Sequence, residues 1–267
     1  MENAEHMVHT RAENDPDEHY RLTLKAVIDA GEILLRSGGE ANRVEDTITR
    51  LCTAFGFIKT DVFTITSNIL VTAIRPDGVP VTQTRRVRGT ATDLRKVEAV
   101  NALSRKICGG GGTVEELEAE LDEIRKSPGV PLRTQFIMYA VISAAFALFF
   151  GGTSNDAVIS ALTGILLLVL TKFSEILELY GIVQKILLSA AIALAAMLLL
   201  RAGLPISPDK VIMGNIMLLV PGIQLTTSLR DMITGDLVTG MLNLSEAVLK
   251  AVALAAGCAF VVGRMGG

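Results

Sequence analysis

The sequence predicts a membrane α-helical bundle of about five transmembrane helices, carrying an N-terminal soluble α+β domain. Three observations predict it. Half of the 267 residues are hydrophobic and the mean hydropathy is +0.46, more apolar than a soluble domain of this length tends to be. Charge is lopsided: Lys, Arg, Asp and Glu are dense up to about Arg133 and sparse beyond it. The polar half alternates helical with strand-like periodicity, whereas the apolar half breaks into runs long enough to cross a bilayer.

The elements follow in order. Residues 1–18 are polar, contain His6 and His9, and read as a disordered tail ahead of a cytoplasmic domain over 19–130. Residues 19–37 predict a helix with Leu24, Val27, Ile28, Gly31, Leu34 and Leu35 on one face, stopped by Ser37-Gly38-Gly39. A second helix carries Val44, Ile48, Leu51, Cys52 and Phe55, ending at Gly56. A β meander follows, with strands at Asp61–Thr66, Ile69–Ile74 and Val79–Arg88 and turns at Ser67-Asn68 and Pro76-Asp77-Gly78. Arg85, Arg86 and Arg88 read as a solvated strand edge. Asp93–Ile107 returns to helix, Gly109–Gly112 is a flexible break, and Thr113-Val114-Glu115-Glu116 is a capping-box pattern opening another helix. Pro128 and Pro131 lead into a transmembrane domain over 131–267.

A span needs roughly 20 apolar residues. Candidates are 134–151, 157–173, 181–200, 210–229 with an interruption at 221–222, and 237–262. The soluble domain's side receives Arg125, Lys126, Arg133, Lys172, Lys185 and Arg230; the other side receives Arg201, Lys210 and Arg264. That bias places the N-terminal domain in the cytoplasm and the bundle in the cytoplasmic membrane. The bundle contains no visible internal repeat. Transporters commonly pair two related halves around a midplane site, so a single bundle implies a partner subunit or a homo-oligomer.

Several functions find no support. A net charge of −3 gives no electrostatic case for nucleic acid. Cys52, Cys108 and Cys258 are far apart and form no C-x-x-C pair, so neither a disulfide framework nor a metal site is indicated. No nucleophile elbow or H-E-x-x-H motif occurs, so no catalytic residue, metal or cofactor is assigned and an enzyme is not expected. The polar, acidic N-terminus does not read as a cleaved signal peptide.

Three features could carry function. Pro221 and Gly222 interrupt the fourth span. A freed backbone at membrane depth is tolerated only where it is buried in protein or lines a polar cavity. Arg230, Asp231, Gly235, Asp236 and Gly240 form a polar turn at the expected cytoplasmic mouth, where a gate or the point of solute entrance would sit. Asn243, Glu246 and Lys250 share one face of the fifth span. Insertion scales put an ionisable group at a span's centre at roughly 2.5–3.5 kcal/mol, so such groups mark either a buried pair or a solute or proton path.

Two of these stretches carry a resemblance. Ala30-Gly31-Glu32 with Arg36-Ser37-Gly38-Gly39-Glu40-Ala41-Asn42-Arg43-Val44-Glu45, and Leu219-Val220-Pro221-Gly222-Ile223 with Arg230-Asp231, Gly235-Asp236 and Gly240, resemble two motifs of the threonine/serine exporter (ThrE) family, in the family's order. The chain looks like that family's N-terminal half, as in the split YjjP-like subunits. The resemblance implies a secondary exporter of small amino or organic acids, driven by the proton-motive force. The solute would be threonine and serine, or a succinate-type dicarboxylate in the split branch. It implies a small membrane protein as partner, and gives roles to Glu40, Arg43 and Glu45 as well as to Pro221, Gly222, Arg230, Asp231, Gly235, Gly240 and Glu246. The chain departs from the family pattern at Asn243, where arginine is common, and at Lys250, where an apolar residue is usual. The residues alone leave open a membrane sensor or scaffold without transport.

Overall fold

The computed structural model describes residues 16–89, 92–177, 179 and 181–265. Most of the expected tail, with His6 and His9, lies outside the described residues. Pro16–Glu18, which the sequence reading assigned to the tail, instead open the first helix. The chain divides into two compact units. One comprises residues up to Ser127 together with Thr227–Leu242. The other comprises Pro128–Thr226 and the residues from Asn243 onward.

The first unit is α+β. Helix α1 spans Pro16–Arg36 and α2 spans Ala41–Ala54. Strands β1 (Lys59–Ile65), β2 (Asn68–Ile74) and β3 (Pro80–Arg86) form an antiparallel meander in the order β1-β2-β3. Helices α3 (Leu94–Gly110) and α4 (Val114–Lys126) complete it. The periodicities of the sequence converge in one core. Leu24, Ile28 and Leu34 of α1, Ile48 and Leu51 of α2, Ile69 of β2, Ile107 of α3 and Leu117 of α4 are all fully buried or nearly so. Each such side chain contributes about 1.5–3 kcal/mol.

The turn after α1 needs glycine. Gly38 has φ +85°, its N–H bonds the Leu35 carbonyl, and the Gly39 N–H returns to Leu34 at 2.8 Å. That double closure satisfies the last carbonyls of α1 and aims the chain into α2. The expected capping box at Thr113 is half formed: its hydroxyl accepts the Glu116 N–H at 3.2 Å.

Arg85 departs from expectation. It is not a solvated edge residue: its guanidinium is held by Asp29 at 2.7 Å and Glu32 at 2.9 Å, both on α1. Alternation along β3 turns Val81, Gln83 and Arg85 to the more buried face, while Arg86, like Arg88 just beyond the strand, is exposed.

The second unit is helical: α5 (Leu132–Phe149), α6 (Ser154–Ile176), α7 (Gly181–Arg201), α8 (Pro208–Ile216), the start of α9 (Gly222–Ile233), and α10 (Leu237–Met265) from Asn243 onward. Among the described residues four helices are long and apolar enough to cross a membrane: α5, α6, α7 and α10. The expected fourth span, 210–229, is interrupted, as the sequence predicts at 221–222. It is split into α8 and α9, of 9 and 12 residues. At 1.5 Å per residue these are about 14 and 18 Å long, so neither alone crosses a hydrocarbon core of about 30 Å.

Polar groups fasten this bundle in two places. Thr153 and Asp156 form a complete capping box at the start of α6, and the second Asp156 oxygen accepts the Ser207 N–H at 2.6 Å. Deeper in, Asn215 of α8 donates to Ser160 Oγ at 3.1 Å, Thr163 Oγ1 at 2.8 Å and its own helix's Val211 carbonyl at 2.8 Å. It accepts from Ser143 Oγ at 3.1 Å. Asn215, Ser143 and Ser160 are fully buried, so this network ties α5, α6 and α8 where water cannot supply partners.

Candidate functional site

The helix break begins earlier than Pro221. After Ile216 the chain tightens: the Leu218 N–H bonds the Asn215 carbonyl at 3.1 Å and the Leu219 N–H bonds Ile216 at 2.8 Å. Pro221 has no N–H to continue the ladder, and Gly222 bonds back only to Val220, at 2.8 Å. The Leu219 carbonyl takes a side chain instead. Lys185 Nζ, from α7, donates to it at 3.1 Å.

One turn into α9 stands Gln224, and beside it lies the charged face of α10. Lys250 Nζ contacts Glu246 Oε1 at 2.7 Å and donates to Gln224 Oε1 at 2.9 Å. Gln224 Nε2 donates to Glu246 Oε2 at 3.1 Å and to the Asn243 carbonyl at 3.3 Å. The three side chains close a ring in which every polar terminus meets a complementary one. Lys250 is largely buried, with 21% of its side chain exposed, whereas Glu246 is half exposed at 51%. Apolar residues back the break: Leu218, Leu219 and Val220 pack with Leu167, Leu188, Ile192 and Leu254. Polar groups in such surroundings interact more strongly than they would in water.

The other predicted residues gather in the first unit. Arg230 pairs with Glu40 at 2.9 Å across 190 positions of sequence, and Asn42 Nδ2 donates to Thr234 Oγ1 at 3.0 Å. Gly235, with φ +101°, is the left-handed residue that ends α9; the Asp236 N–H closes on the Asp231 carbonyl at 2.9 Å. At Gly240 a side chain would meet the Ser228 carbonyl and the Met232 backbone at under 3 Å, so glycine lets α10 pass close to α9. Asp231 is buried.

Glu45 and Thr239 converge on one residue of the edge strand β1. The Thr64 N–H donates to Glu45 Oε1 at 2.8 Å, and the Thr64 carbonyl accepts from Thr239 Oγ1 at 3.3 Å. Burial pushes the Glu45 carboxyl above its ordinary range; the Thr64 N–H opposes the shift and the Asp236 charge reinforces it. Arg43 does not join: it is exposed and takes no partner among the described residues.

The predicted residues therefore fall into two groups. Glu40, Glu45, Arg230, Asp231, Gly235, Asp236 and Gly240 belong to the first unit. Pro221, Gly222, Asn243, Glu246 and Lys250 belong to the second. Sequence reasoning missed Lys185 and Gln224 as site residues, and missed the Asn215 network. A signal existed for each: a lysine or a carboxamide inside an otherwise apolar run is costly unless it is partnered.

Four helices long enough and apolar enough to cross a bilayer, packed with an interrupted one, are those of a multi-pass membrane protein. The chain belongs to the threonine/serine exporter (ThrE) family, whose description, "Putative threonine/serine exporter", matches residues 25–264. It is 29% identical over 238 residues to the "Threonine/serine exporter" of Corynebacterium glutamicum, covering 85% of this chain and 48% of that protein. It is 26% identical over 249 residues to the "Probable threonine/serine exporter" of Mycobacterium tuberculosis (strain ATCC 25618 / H37Rv), covering 90% of this chain and 46% of that protein. The chain thus spans about half the length of the curated relatives it matches. No solved structure matches it.

Proposed function

We propose that this chain is one subunit of a secondary transporter that exports threonine- or serine-type amino acids across the cytoplasmic membrane. The proton-motive force drives it, and a small membrane protein corresponding to the rest of its relatives' length completes it. The bias of basic residues toward the N-terminal domain's side supports a cytoplasmic position for that domain.

The observation that carries the reading is the break between α8 and α9 with Gln224, Glu246 and Lys250 beside it. An amino acid is a zwitterion. It needs a cation for its carboxylate, acceptors for its ammonium, and surroundings dry enough for both to count. The break offers a lysine, a carboxylate and backbone carbonyls among leucines. One specific observation favours a second reading, export of a dicarboxylate. Two lysines, Lys185 and Lys250, serve the break against the single carboxylate of Glu246.

The test is efflux from proteoliposomes holding this chain and its small partner, preloaded with labelled threonine, serine or succinate, under an imposed proton gradient. Gradient-dependent release, dissipated by a protonophore and lost in Glu246→Gln, is the expected result. If none of the three solutes moves, the reading fails.

A further inference from the structure

We infer that Lys185 recognises a free carboxylate on the transported solute, and that the Gln224–Glu246–Lys250 ring is the neutral frame beside it. The inference rests on the transport reading above and names the chemical group that the break selects.

Charge balance is the first ground. Two lysines serve the break: Lys185 on the Leu219 carbonyl, and Lys250 on Gln224 and Glu246. The acid of the break, Glu246, is already engaged by Lys250 at 2.7 Å and by Gln224 at 3.1 Å. Lys185 has no carboxylate partner among the described residues. Among the described residues, one positive charge is therefore left in excess beside Leu188, Leu219 and their apolar neighbours. An uncompensated charge in such a place is costly, and a solute carboxylate would neutralise it.

Direction is the second ground. Lys185 stands in the second turn of α7, about 6 Å from the helix start. A lysine so near a helix end can ordinarily extend its head toward the interface. This one turns to the broken helix and bonds the Leu219 carbonyl at 3.1 Å. A single carbonyl uses one of its three N–H donors, which leaves capacity for a carboxylate oxygen. The N-terminus of α9, at Gly222, follows the Leu219 carbonyl in the chain and adds positive potential at the break.

The test compares the wild-type chain with Lys185→Gln and Lys185→Arg, each with its small partner in detergent, by equilibrium binding of labelled serine and succinate, with serinamide as the competitor lacking a carboxylate. The wild type is expected to bind the carboxylate solutes and to discriminate strongly against serinamide. Lys185→Gln should weaken serine or succinate binding about 10- to 100-fold and abolish the discrimination, whereas Lys185→Arg should retain it. Unchanged binding in Lys185→Gln overturns the inference. So does an equal loss for serine and serinamide, which would mark a packing role, and so does absence of binding in the wild type. Carboxylate-selective binding that depends on Lys185, with no flux in vesicles, would uphold this inference and overturn the transport reading.

Discussion

Replacing Gln224 with leucine tests the ring at the helix break most directly. Leucine has similar volume and suits an apolar bundle, so the change removes polar contacts and little else. Three contacts go: Lys250 at 2.9 Å, Glu246 at 3.1 Å and the Asn243 carbonyl at 3.3 Å. In soluble proteins hydrogen bonds to charged groups are worth about 1.5–3 kcal/mol each, which would total about 3–6 kcal/mol for the two charged partners. Side-chain hydrogen bonds between membrane helices average about 0.6 kcal/mol. The lower figure governs here, because Glu246 and Lys250 keep each other at 2.7 Å and neither charge is stranded. The expected loss is therefore about 1–2 kcal/mol. Denaturant titration in mixed micelles measures it. A double-mutant cycle with Glu246→Gln should give a coupling energy of about 0.5–2 kcal/mol, since the residues touch. Losses that add within about 0.3 kcal/mol would refute the ring.

Other outcomes follow from the first unit. Glu40→Gln and Arg230→Gln should each cost no more than about 1 kcal/mol, because 63% of the Arg230 side chain is exposed; the loss should shrink in high salt, as thermal midpoints will show. Glu45 has its folded-state pKa above its unfolded value, so its contribution is fully present at low pH. That contribution is lost as pH rises past the ordinary value of 4.5 and through the folded one. Glu45→Gln keeps the acceptor for Thr64, and should flatten this pH dependence in unfolding curves recorded across the acidic range; an unchanged slope would remove Glu45 as its source. Cys52 is buried, which pushes its thiol up to about 11, whereas Cys108 is exposed. Maleimide at neutral pH should therefore modify Cys108 and leave Cys52 intact, as peptide mass mapping will report.

Much of the fold was legible because it follows from short-range patterns. The apolar spacing of Leu24 to Leu35 and of Val44 to Phe55 fixed two helices, and the β-branched runs fixed a meander. Pro221 marked the interruption because a missing N–H is local chemistry. What was not legible depends on partners far apart in sequence. Asn215 reads as an ordinary polar residue until Ser143, Ser160 and Thr163 are seen around it. Lys185 reads as a basic residue at a helix end until the Leu219 carbonyl, 34 positions on, is found at its head. Arg85 was misread by composition, since three arginines near a strand end suggest solvent. The alternation that turns it toward Asp29 and Glu32 was present in the sequence, but the partners were not. The break in the fourth span was legible at Pro221 and Gly222, whereas its earlier start after Ile216 was not, because it depends on backbone bonds that the sequence does not display.

The two clusters of predicted residues differ in what their positions require. Thr64 sits on an edge strand, where a backbone N–H and carbonyl would otherwise go unpaired at about 1–3 kcal/mol each. Glu45 and Thr239 satisfy both groups. Gly235 is needed for its left-handed turn, Gly240 for close passage, and Arg230 for a solvated pair with Glu40. Packing and backbone satisfaction therefore account for these residues without any solute. No such account covers the break. Ionisable side chains within an apolar bundle carry a desolvation cost that leucine at 185, 246 and 250 would not. Two lysines and a glutamate around an interrupted helix, with Glu246 half exposed, are the arrangement that the proposed solute site would use. The proposed solute site therefore rests on Pro221 and its neighbours rather than on the first-unit residues of the two motifs. Glu40, Asn42 and Glu45 anchor residues 227–242 to the α+β unit.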